Sequence, residues 1–200
     1  MRLPEVTLCC VDTRDPALAL WALQRCTAQI RFGDVVLCTR ASLLPTPPPG
    51  VRVIDVRVDT IEAYSQFMLQ GLASHVETSH VLVAQWDGFV RDVARWDAAF
   101  LAYDYIGAPW PEARGGHWVG NGGFSLRSRR LLEAWRDPQV RTTHPEDESI
   151  CVVNRVLLER RHGIRIAPPE MARRFSYERV VPAQPTFGFH GLFNFERELP

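Results

Sequence analysis

The sequence predicts an α/β fold built on a doubly wound sheet. Apolar runs of strand length alternate with helical patterns along the first half of the chain, which is typical of parallel strands joined by crossover helices. The chain has 200 residues, of which 46% are hydrophobic, and its formal net charge is zero. This composition favours one folded domain and argues against a disordered chain.

The elements of the first half follow in order. Val6–Val11 is an apolar run that predicts a buried strand. Asp15 can cap the helix that follows, and Pro16 suits its first position because no N–H is needed there. We expect this helix to run to about Ile30. The pattern then predicts strands over Asp34–Thr39, Val51–Val58 and His80–Ala84, a stiff loop of Pro45, Pro47, Pro48, Pro49 and Gly50, and an amphipathic helix over Thr60–His75.

The second half has short strands, glycine clusters and irregular loops. Helical patterns cover about Val90–Ala102 and about Pro145–Arg161. In the second of these, four apolar residues are expected to share one face, namely Ile150, Val153, Leu157 and Leu158. We therefore predict a single domain over residues 1–200, with a regular front half (1–88) and an irregular back half (89–200).

Charge and cysteine content narrow the function classes. The 23 basic residues are all arginine and are balanced by 23 acidic ones. A nucleic-acid binder usually carries a stronger basic stripe, so we expect no nucleic-acid partner. The five cysteines lack CxxC spacing, which favours buried, reduced thiols. Since we also see neither a signal peptide nor a membrane-spanning apolar run, we expect a cytoplasmic protein, with peripheral membrane association left open.

The first candidate for chemistry is Asp87, in the run Gln85-Trp86-Asp87-Gly88 directly after the strand over His80–Ala84. In a parallel sheet, an acidic side chain at this position projects into the ligand crevice. Mg²⁺ and Mn²⁺ favour one or two carboxylates together with phosphate oxygens. The alternative is a plain turn, because Asp-Gly is a strong turn signal by itself.

Aromatic and glycine-rich segments follow. Tyr105 or Trp110, in the segment Tyr103–Trp110, could line a carbohydrate pocket, or the whole segment could be a loop that anchors the core. Residues Trp118–Ser128 hold the densest glycine cluster, and glycine lets a backbone approach a ligand closely. The alternation over Gly123–Leu126 instead suggests a loop that enters a strand, with a bulge or turn as the alternative.

Two later motifs carry titratable groups. Glu146-Asp147-Glu148 opens a predicted helix, where the helix dipole already favours acids by about 0.3–1 kcal/mol each. A carboxylate there could also take a proton from an attacking hydroxyl. His190 lies between glycines and aromatics and could join a carboxylate in a Mn²⁺ site, although a packed histidine is the alternative.

Taken in order, these motifs resemble a family of domains of unknown function that is itself similar to GT-A glycosyltransferases. The resemblance covers about residues 60–195 and is most specific in the glycine block and in Tyr105–Trp110. The residues that carry it are Gln85–Phe89, Trp96, Tyr103–Trp110, Val119–Ser128, Glu146-Asp147 and Phe187–Gly191.

The resemblance implies a GT-A-like, doubly wound mixed sheet that binds a nucleotide-sugar donor, with a UDP-sugar as the expected donor. It assigns residues 1–88 to the nucleotide and residues 89–200 to the acceptor and the catalytic groups. It also implies Mn²⁺ or Mg²⁺ bound by Asp87 and His190. Gln85 replaces the first carboxylate of an Asp-x-Asp motif and would hydrogen-bond the ribose or a metal-bound water.

The remaining roles are implied in the same way. Asp147 would be the catalytic base, with Glu146 as the second choice, and Arg127 would contact the diphosphate. Thr13, Arg14 and Trp86 would lie at the nucleotide. The sugar and acceptor site would be formed by Trp110, Trp118, Gly120, Asn121, Gly122, Gly123 and Phe124.

The predicted function is a metal-dependent, inverting glycosyltransferase that moves a sugar to a hydroxyl of a carbohydrate or another acceptor. Two alternatives stay open. A non-catalytic sugar- or nucleotide-binding domain is suggested by Gln85, where the first Asp is missing. A nucleotidyltransferase would usually want a glycine-rich phosphate loop after the first strand, and Asp12–Pro16 holds no glycine.

Overall fold

The computed structural model describes residues 1–44 and 46–199. Its strands are β1 (Arg2–Val11), β2 (Arg31–Thr39), β3 (Arg52–Asp55), β4 (His80–Ala84), β5 (Tyr105–Ile106), β6 (Pro109–Arg114), β7 (His117–Val119), β8 (Ser125–Ser128), β9 (Ser176–Tyr177) and β10 (Gly188–Phe189). Its α-helices are α1 (Pro16–Thr27), α2 (Ile61–Gln66), α3 (Arg129–Glu133), α4 (Glu146–Glu148), α5 (Arg155–His162), α6 (Pro169–Phe175) and α7 (Phe195–Glu198).

The central sheet has the strand order β3-β2-β1-β4-β8-β5. The four strands of the front half pair in parallel, whereas β8 runs antiparallel to both β4 and β5. The prediction of a doubly wound mixed α/β sheet is therefore confirmed. The strands β8 and β5 extend the sheet beside β4, so the back-half loops around them reach the carboxyl end of β4, where Asp87 lies.

The front half agrees with the sequence pattern in most details. The Asp15 carboxylate accepts hydrogen bonds from the backbone of Ala17 and Leu18 at 3.1 Å, which caps α1 as expected. That helix ends at Thr27, and β3 covers only Arg52–Asp55 of the predicted longer strand. Of the predicted proline loop, Pro45 lies outside the described residues.

The predicted helix over Thr60–His75 is helical throughout but changes type along its length. The segment α2 continues into a π-helical stretch at Phe67–Gly71 and a 3-10 stretch at Leu72–His75. Met68 and Leu72 are buried as the amphipathic pattern requires, whereas Ile61 is exposed. This exposure leaves Ile61 at the edge of a cavity described below.

The predicted helix over Val90–Ala102 is wrong. The segment instead holds two short 3-10 turns, Val93–Arg95 and Ala98–Ala102. Each begins at an aspartate, Asp92 or Asp97, whose side chain accepts a backbone hydrogen bond from two residues further on. Such local side-chain bonds compete with a continuous helix and start a new turn each time.

The predicted helix over Pro145–Arg161 is interrupted. The helix α4 continues into a π-helical stretch, Ser149–Val153, and α5 begins only after Asn154. The buried Asn154 side chain bonds to the backbone of Arg141 in both directions at 2.8 Å, which fixes the break. Consequently Ile150 and Leu158 are buried, but Val153 is exposed, so the four apolar residues do not share one face.

The core of the back half is aromatic. Phe124 packs against Phe175 at 5.4 Å between ring centroids, and Phe187 and Phe189 are also fully buried. All five cysteines are free and buried, as the sequence suggested. Among the described residues, no helix is long and apolar enough to cross a membrane. The division of a single domain into halves at residue 88 stays a prediction.

Candidate functional site

A cavity of about 290 Å³ opens at the carboxyl ends of the parallel strands. We call it the strand-end cavity. Four residues predicted at the nucleotide line it, namely Thr13, Arg14, Gln85 and Trp86. The other lining residues are Val11, Asp12, Val58, Asp59, Thr60, Ile61 and Tyr64. The ends of β1 and β4 and the start of α2 therefore meet at the crevice where a parallel sheet usually binds its ligand.

The loop after β1 is held in shape by its own side chains. The Asp12 carboxylate accepts hydrogen bonds from the backbone N–H groups of Arg14 and Asp15 at 2.8 and 2.9 Å. The buried Thr13 hydroxyl donates to the Val58 carbonyl, which ties this loop to the segment that precedes α2. The wall is thus built before any ligand binds.

A second cavity of about 280 Å³ lies beside the first and is built mainly from loops. We call it the loop cavity. It is lined by Gln85, Trp110, Pro111, Arg114, Asn121, Gly122, Gly123, Pro145, Glu146, Asp147, Glu178, Arg179 and His190. Gln85 lines both cavities, and its amide N–H donates to the Tyr64 hydroxyl of the strand-end cavity at 2.9 Å.

The glycines of this cavity make room for charged side chains. A Cβ atom on Gly122 would lie 2.0 Å from a Glu146 carboxylate oxygen, and one on Gly123 would lie 2.1 Å from Nε2 of His190. Only glycine therefore fits at either position without moving a neighbour. Asn121 adopts a left-handed backbone, with φ of 56°, just before them.

Asp87 and His190 come together as the resemblance implied, although they are far apart in the sequence. Nε2 of His190 lies 3.4 Å from Oδ1 of Asp87 and donates to the side-chain amide oxygen (Oε1) of Gln85 at 3.1 Å. The other Asp87 oxygen accepts from the backbone N–H of Leu192 at 3.2 Å. Burial alone would lower the pKa of His190, but hydrogen bonds and charges from Asp87 and Glu178 raise this pKa to about 9.

The residues present fit a hard divalent cation whose remaining ligands come from a diphosphate and water. Such ions need only one or two protein groups when a substrate supplies phosphate oxygens. The carboxylate of Asp87 is a suitable donor, and so is the imidazole of His190 once the ion displaces the proton on Nε2. Within residues 1–44 and 46–199, however, no cluster of three His, Cys, Asp or Glu side chains could hold a metal by itself.

Glu146 and Asp147 are neighbours with different environments. Glu146 is buried and accepts a hydrogen bond from the fully buried Arg127 guanidinium at 3.0 Å. Asp147 is only partly buried. Burial, together with the charge of Glu146, raises the pKa of the Asp147 carboxyl above its usual value. An ion-paired carboxylate is a poor proton acceptor, so Asp147 is the better candidate for a general base.

The structure corrects the expected position of Arg127. Its side chain is 0% exposed, and it is held by Ser125 and Glu146 at 3.0 Å each and stacks against the Tyr105 ring. Arg127 lines neither cavity, so a diphosphate bound in either cavity could not reach its guanidinium. Tyr105 is buried beside it and likewise does not line a carbohydrate pocket.

Three further residues that were expected at the sugar and acceptor line neither cavity. Trp118 is 48% exposed on β7. Phe124 is part of the aromatic core. Gly120 supports the site indirectly, because a Cβ there would lie 1.8 Å from the ring of Trp110, which does line the loop cavity. Of the predicted substrate residues, Trp110, Asn121, Gly122 and Gly123 are therefore the ones that the structure brings to the cavity.

Sequence reasoning missed several lining residues. Tyr64 falls within the predicted helix over Thr60–His75 but belongs to no motif, and no motif marks Arg114, Glu178 or Arg179. Glu178 follows the two-residue strand β9, which no pattern in the sequence predicts. The pairing of β9 with β10 sets Tyr177 opposite Phe189, and this pairing brings the next residues, Glu178 and His190, together.

The chain shares its α/β fold with solved GT-A glycosyltransferases. The galactosyltransferase LgtC, solved with donor and acceptor sugar analogues, superposes with a TM-score of 0.55 at 12% identity, over 93% of this chain and 87% of that one. A glycosyltransferase involved in glycosylation of the major capsid of PBCV-1 gives 0.52 at 12% identity, over 94% and 92%. These similarities show the fold, and they confirm the resemblance to GT-A glycosyltransferases.

The chain belongs to the family described as protein of unknown function (DUF5672), which matches residues 51–190. The bifunctional IspDF from Campylobacter jejuni is a weaker structural match, with a TM-score of 0.49 at 11% identity; it covers 72% of this chain, which spans only 46% of that protein. No curated protein matches the chain by sequence.

Proposed function

We propose that this protein is a metal-dependent, inverting glycosyltransferase that moves a sugar from a nucleotide-sugar donor, with a UDP-sugar as the expected donor, to a hydroxyl of a carbohydrate or another acceptor. The observation that carries the proposal is that Asp87 and His190 lie within 3.4 Å of each other, while His190 and Asp147 line the same cavity. The strand-end cavity meets this group at Gln85. The LgtC structure, with a similar fold, holds donor and acceptor sugar analogues.

In this proposal, the nucleoside lies in the strand-end cavity, against Thr13, Arg14 and Trp86. The donor diphosphate then reaches the point where Gln85, Asp87 and His190 meet. A bound Mn²⁺ or Mg²⁺ supplies the positive charge that stabilises the leaving diphosphate. Asp87 and His190 are the residues that would hold this ion.

Asp147 acts as the general base in the loop cavity. The acceptor oxygen forms a bond to the anomeric carbon as the bond from that carbon to the diphosphate oxygen breaks. The acceptor proton passes to the Asp147 carboxylate, and the nucleoside diphosphate leaves. The neighbouring carboxylate, Glu146, is paired with Arg127 and is unsuited to attack the sugar, which supports one displacement with inversion.

The proposal includes further expectations about the setting. The five buried, free cysteines support a reducing compartment and hence a cytoplasmic location. Nucleic acid is not expected as a partner, and peripheral association with a membrane-bound acceptor stays open. A second candidate function is a domain that binds a nucleotide or sugar without turnover, which is favoured by the amide of Gln85 where an acidic residue would strengthen metal binding.

Thermal unfolding with UDP, other nucleoside diphosphates and a panel of nucleotide sugars, each with and without Mn²⁺, tests the proposal. A ligand at 100 times its dissociation constant should stabilise the protein by about 2.7 kcal/mol. If no nucleoside diphosphate raises the unfolding temperature, the glycosyltransferase proposal is wrong. Stabilisation without hydrolysis or transfer of any sugar would favour the non-catalytic candidate.

Replacement of the proposed metal ligand tests the metal dependence separately. Asp87→Ala should remove the Mn²⁺-dependent part of UDP binding, measured by calorimetry with Mn²⁺ and with a chelator. Since loss of a group that merely supports a ligand usually costs about 10–100-fold in metal affinity, loss of the ligand itself should cost at least as much. Unchanged Mn²⁺-dependent binding would place the metal elsewhere.

A further inference from the structure

We infer that Glu178 is a positioning residue that orients His190 toward the cation proposed at Asp87. The inference rests on the proposed function, because it concerns how the protein presents one of that ion's ligands. Glu178 lies on the other side of the imidazole ring from Asp87, and it is the second carboxylate in contact with His190.

The two ring nitrogens of His190 face different carboxylates. Nε2 lies 3.4 Å from Asp87, and Nδ1 lies 3.5 Å from Oε1 of Glu178. A neutral imidazole binds a metal through one nitrogen and keeps its proton on the other. A carboxylate at Nδ1 therefore keeps the ring proton on Nδ1 when Nε2, the nitrogen on the Asp87 side, gives up its proton and its hydrogen bond to Gln85 in order to bind the ion.

The Nδ1 atom depends on this carboxylate. It is buried, and within the part of the chain that the structure describes it makes no hydrogen bond of normal length. The 3.5 Å separation from Glu178 is long, as contacts in ligand-free sites often are, and it can shorten when the ring is fixed by a ligand. Metal-bound histidines commonly donate their second N–H to such a carboxylate.

The backbone holds the two residues in place. The parallel pair β9 and β10 ends at Tyr177 and Phe189, so Glu178 and His190 leave the ladder side by side. The buried Asn194 side chain donates to the backbone carbonyls of both residues, at 2.9 Å to Glu178 and 2.8 Å to His190. His190 also donates its backbone N–H to the Tyr177 carbonyl at 2.9 Å.

Direct coordination by Glu178 is the less suitable role. The nitrogens of an imidazole point to opposite edges of the ring, so a carboxylate at Nδ1 and a carboxylate at Nε2 are separated by the ring itself. In agreement with this placement, Asp87, His190 and Glu178 do not form a three-ligand metal cluster among the described residues. Glu178 therefore acts on the ion through His190.

The test compares Glu178→Ala with Glu178→Gln in Mn²⁺ titrations followed by electron paramagnetic resonance, with UDP present. Removal of the acceptor in Glu178→Ala should weaken Mn²⁺ binding by about 10–100-fold. The amide oxygen in Glu178→Gln can still accept the Nδ1 proton, so its affinity should stay near wild type. Glu196→Ala, at an exposed carboxylate, makes the same charge change as Glu178→Ala and should leave binding unchanged.

A second readout follows the imidazole itself. With ¹⁵N-labelled histidine and bound Mg²⁺ and UDP, the Nδ1–H signal of His190 should be visible in wild type and in Glu178→Gln, and lost to solvent exchange in Glu178→Ala. Circular dichroism and the unfolding temperature verify that each variant is folded.

The outcomes separate the two proposals. If wild type binds Mn²⁺ and Glu178→Ala binds it equally well, the positioning role is wrong and the proposed function stands. A loss in Glu178→Gln as large as in Glu178→Ala would also overturn the positioning role, since the charge alone would then matter. If wild-type protein with UDP binds no Mn²⁺, both the metal-dependent function and this inference fail.

Discussion

The strand-end cavity and the loop cavity share Gln85 but are built in different ways. The first collects residues from the ends of parallel strands and the start of α2, all within the first 86 residues. The second collects residues from six separate segments from Gln85 to His190, and it needs glycines where charged side chains approach the backbone. The strand-end cavity therefore follows largely from the sheet topology, whereas the proposed catalytic groups depend on buried polar contacts between loops.

This contrast predicts that the loop cavity can lose its chemistry while the strand-end cavity keeps its ligand. Asp147→Asn should lower turnover of a nucleotide sugar by about 10²–10⁴-fold, the usual contribution of a general base, because the amide cannot accept the acceptor proton. UDP affinity, measured by calorimetry, should not change.

Glu112→Gln is the matched control, because Glu112 is an exposed carboxylate on β6 that lines neither cavity. It should keep near-normal turnover. Near-normal turnover of Asp147→Asn, in contrast, would remove Asp147 from the base role.

The loop cavity also depends on a buried ion pair, because Glu146, one of its lining residues, is held by Arg127 in the core. Arg127→Met leaves the buried Glu146 carboxylate without its partner, and breaking a buried ion pair in this way typically costs about 3–5 kcal/mol. Urea unfolding measures the loss. The double variant Arg127→Met/Glu146→Leu removes both charges and should recover most of it, and failure to recover would show that packing rather than the charge is responsible.

The pH dependence of turnover should report on Asp147 in the loop cavity. Burial raises the pKa of Asp147 above the ordinary aspartate value, and the carboxylate is the active form of a base. Turnover should therefore fall as the pH decreases through this raised pKa, at a higher pH than for an ordinary aspartate. The kcat profile of wild type, with Glu112→Gln as the control, measures the position of this limb; a limb at or below the ordinary aspartate value would contradict the assignment.

The smallest expected effect concerns Gln85, the residue that lines both cavities. Tyr64→Phe removes the hydroxyl that accepts the hydrogen bond from Gln85, and one such bond contributes about 0.5–1.5 kcal/mol. UDP affinity by calorimetry should fall by roughly threefold to tenfold, because Gln85 is then free to turn. Tyr103→Phe, a tyrosine outside both cavities, should bind UDP normally, and equal behaviour of the two variants would mean that Gln85 needs no such support.

The strands and the first helix of the front half could be predicted from the sequence for a physical reason. Apolar runs such as His80–Ala84 and a capped helix start at Asp15 are local patterns, and parallel pairing brings their ends together without further information. The failures lie where a side chain overrides the local pattern. Asp97 restarts a turn within the predicted helix over Val90–Ala102, and Asn154 breaks the one over Pro145–Arg161.

The candidate site was only partly predictable for the same reason. The motif likeness singled out Asp87, His190 and Asp147 as candidates, since these residues stand in recognisable strings. It placed Arg127 at the diphosphate, because a sequence does not show that an arginine points into the core toward Glu146. Glu178 was missed because its neighbour in space, His190, is 12 positions further along the chain and is reached through a pairing of two very short strands.

The pair formed by Arg127 and Glu146 has a consequence for how such a protein can diverge. Asp147 owes part of its raised proton affinity to the adjacent Glu146 and is restrained by the positive charge of Arg127, which is sealed in the middle of the molecule. A relative that exchanged Arg127 for an apolar residue would alter the acid–base behaviour of Asp147 without any change in the residues that line the loop cavity. Substitutions that repack the interior at Arg127 would therefore also change the pKa of Asp147, so the two properties cannot evolve independently in this chain.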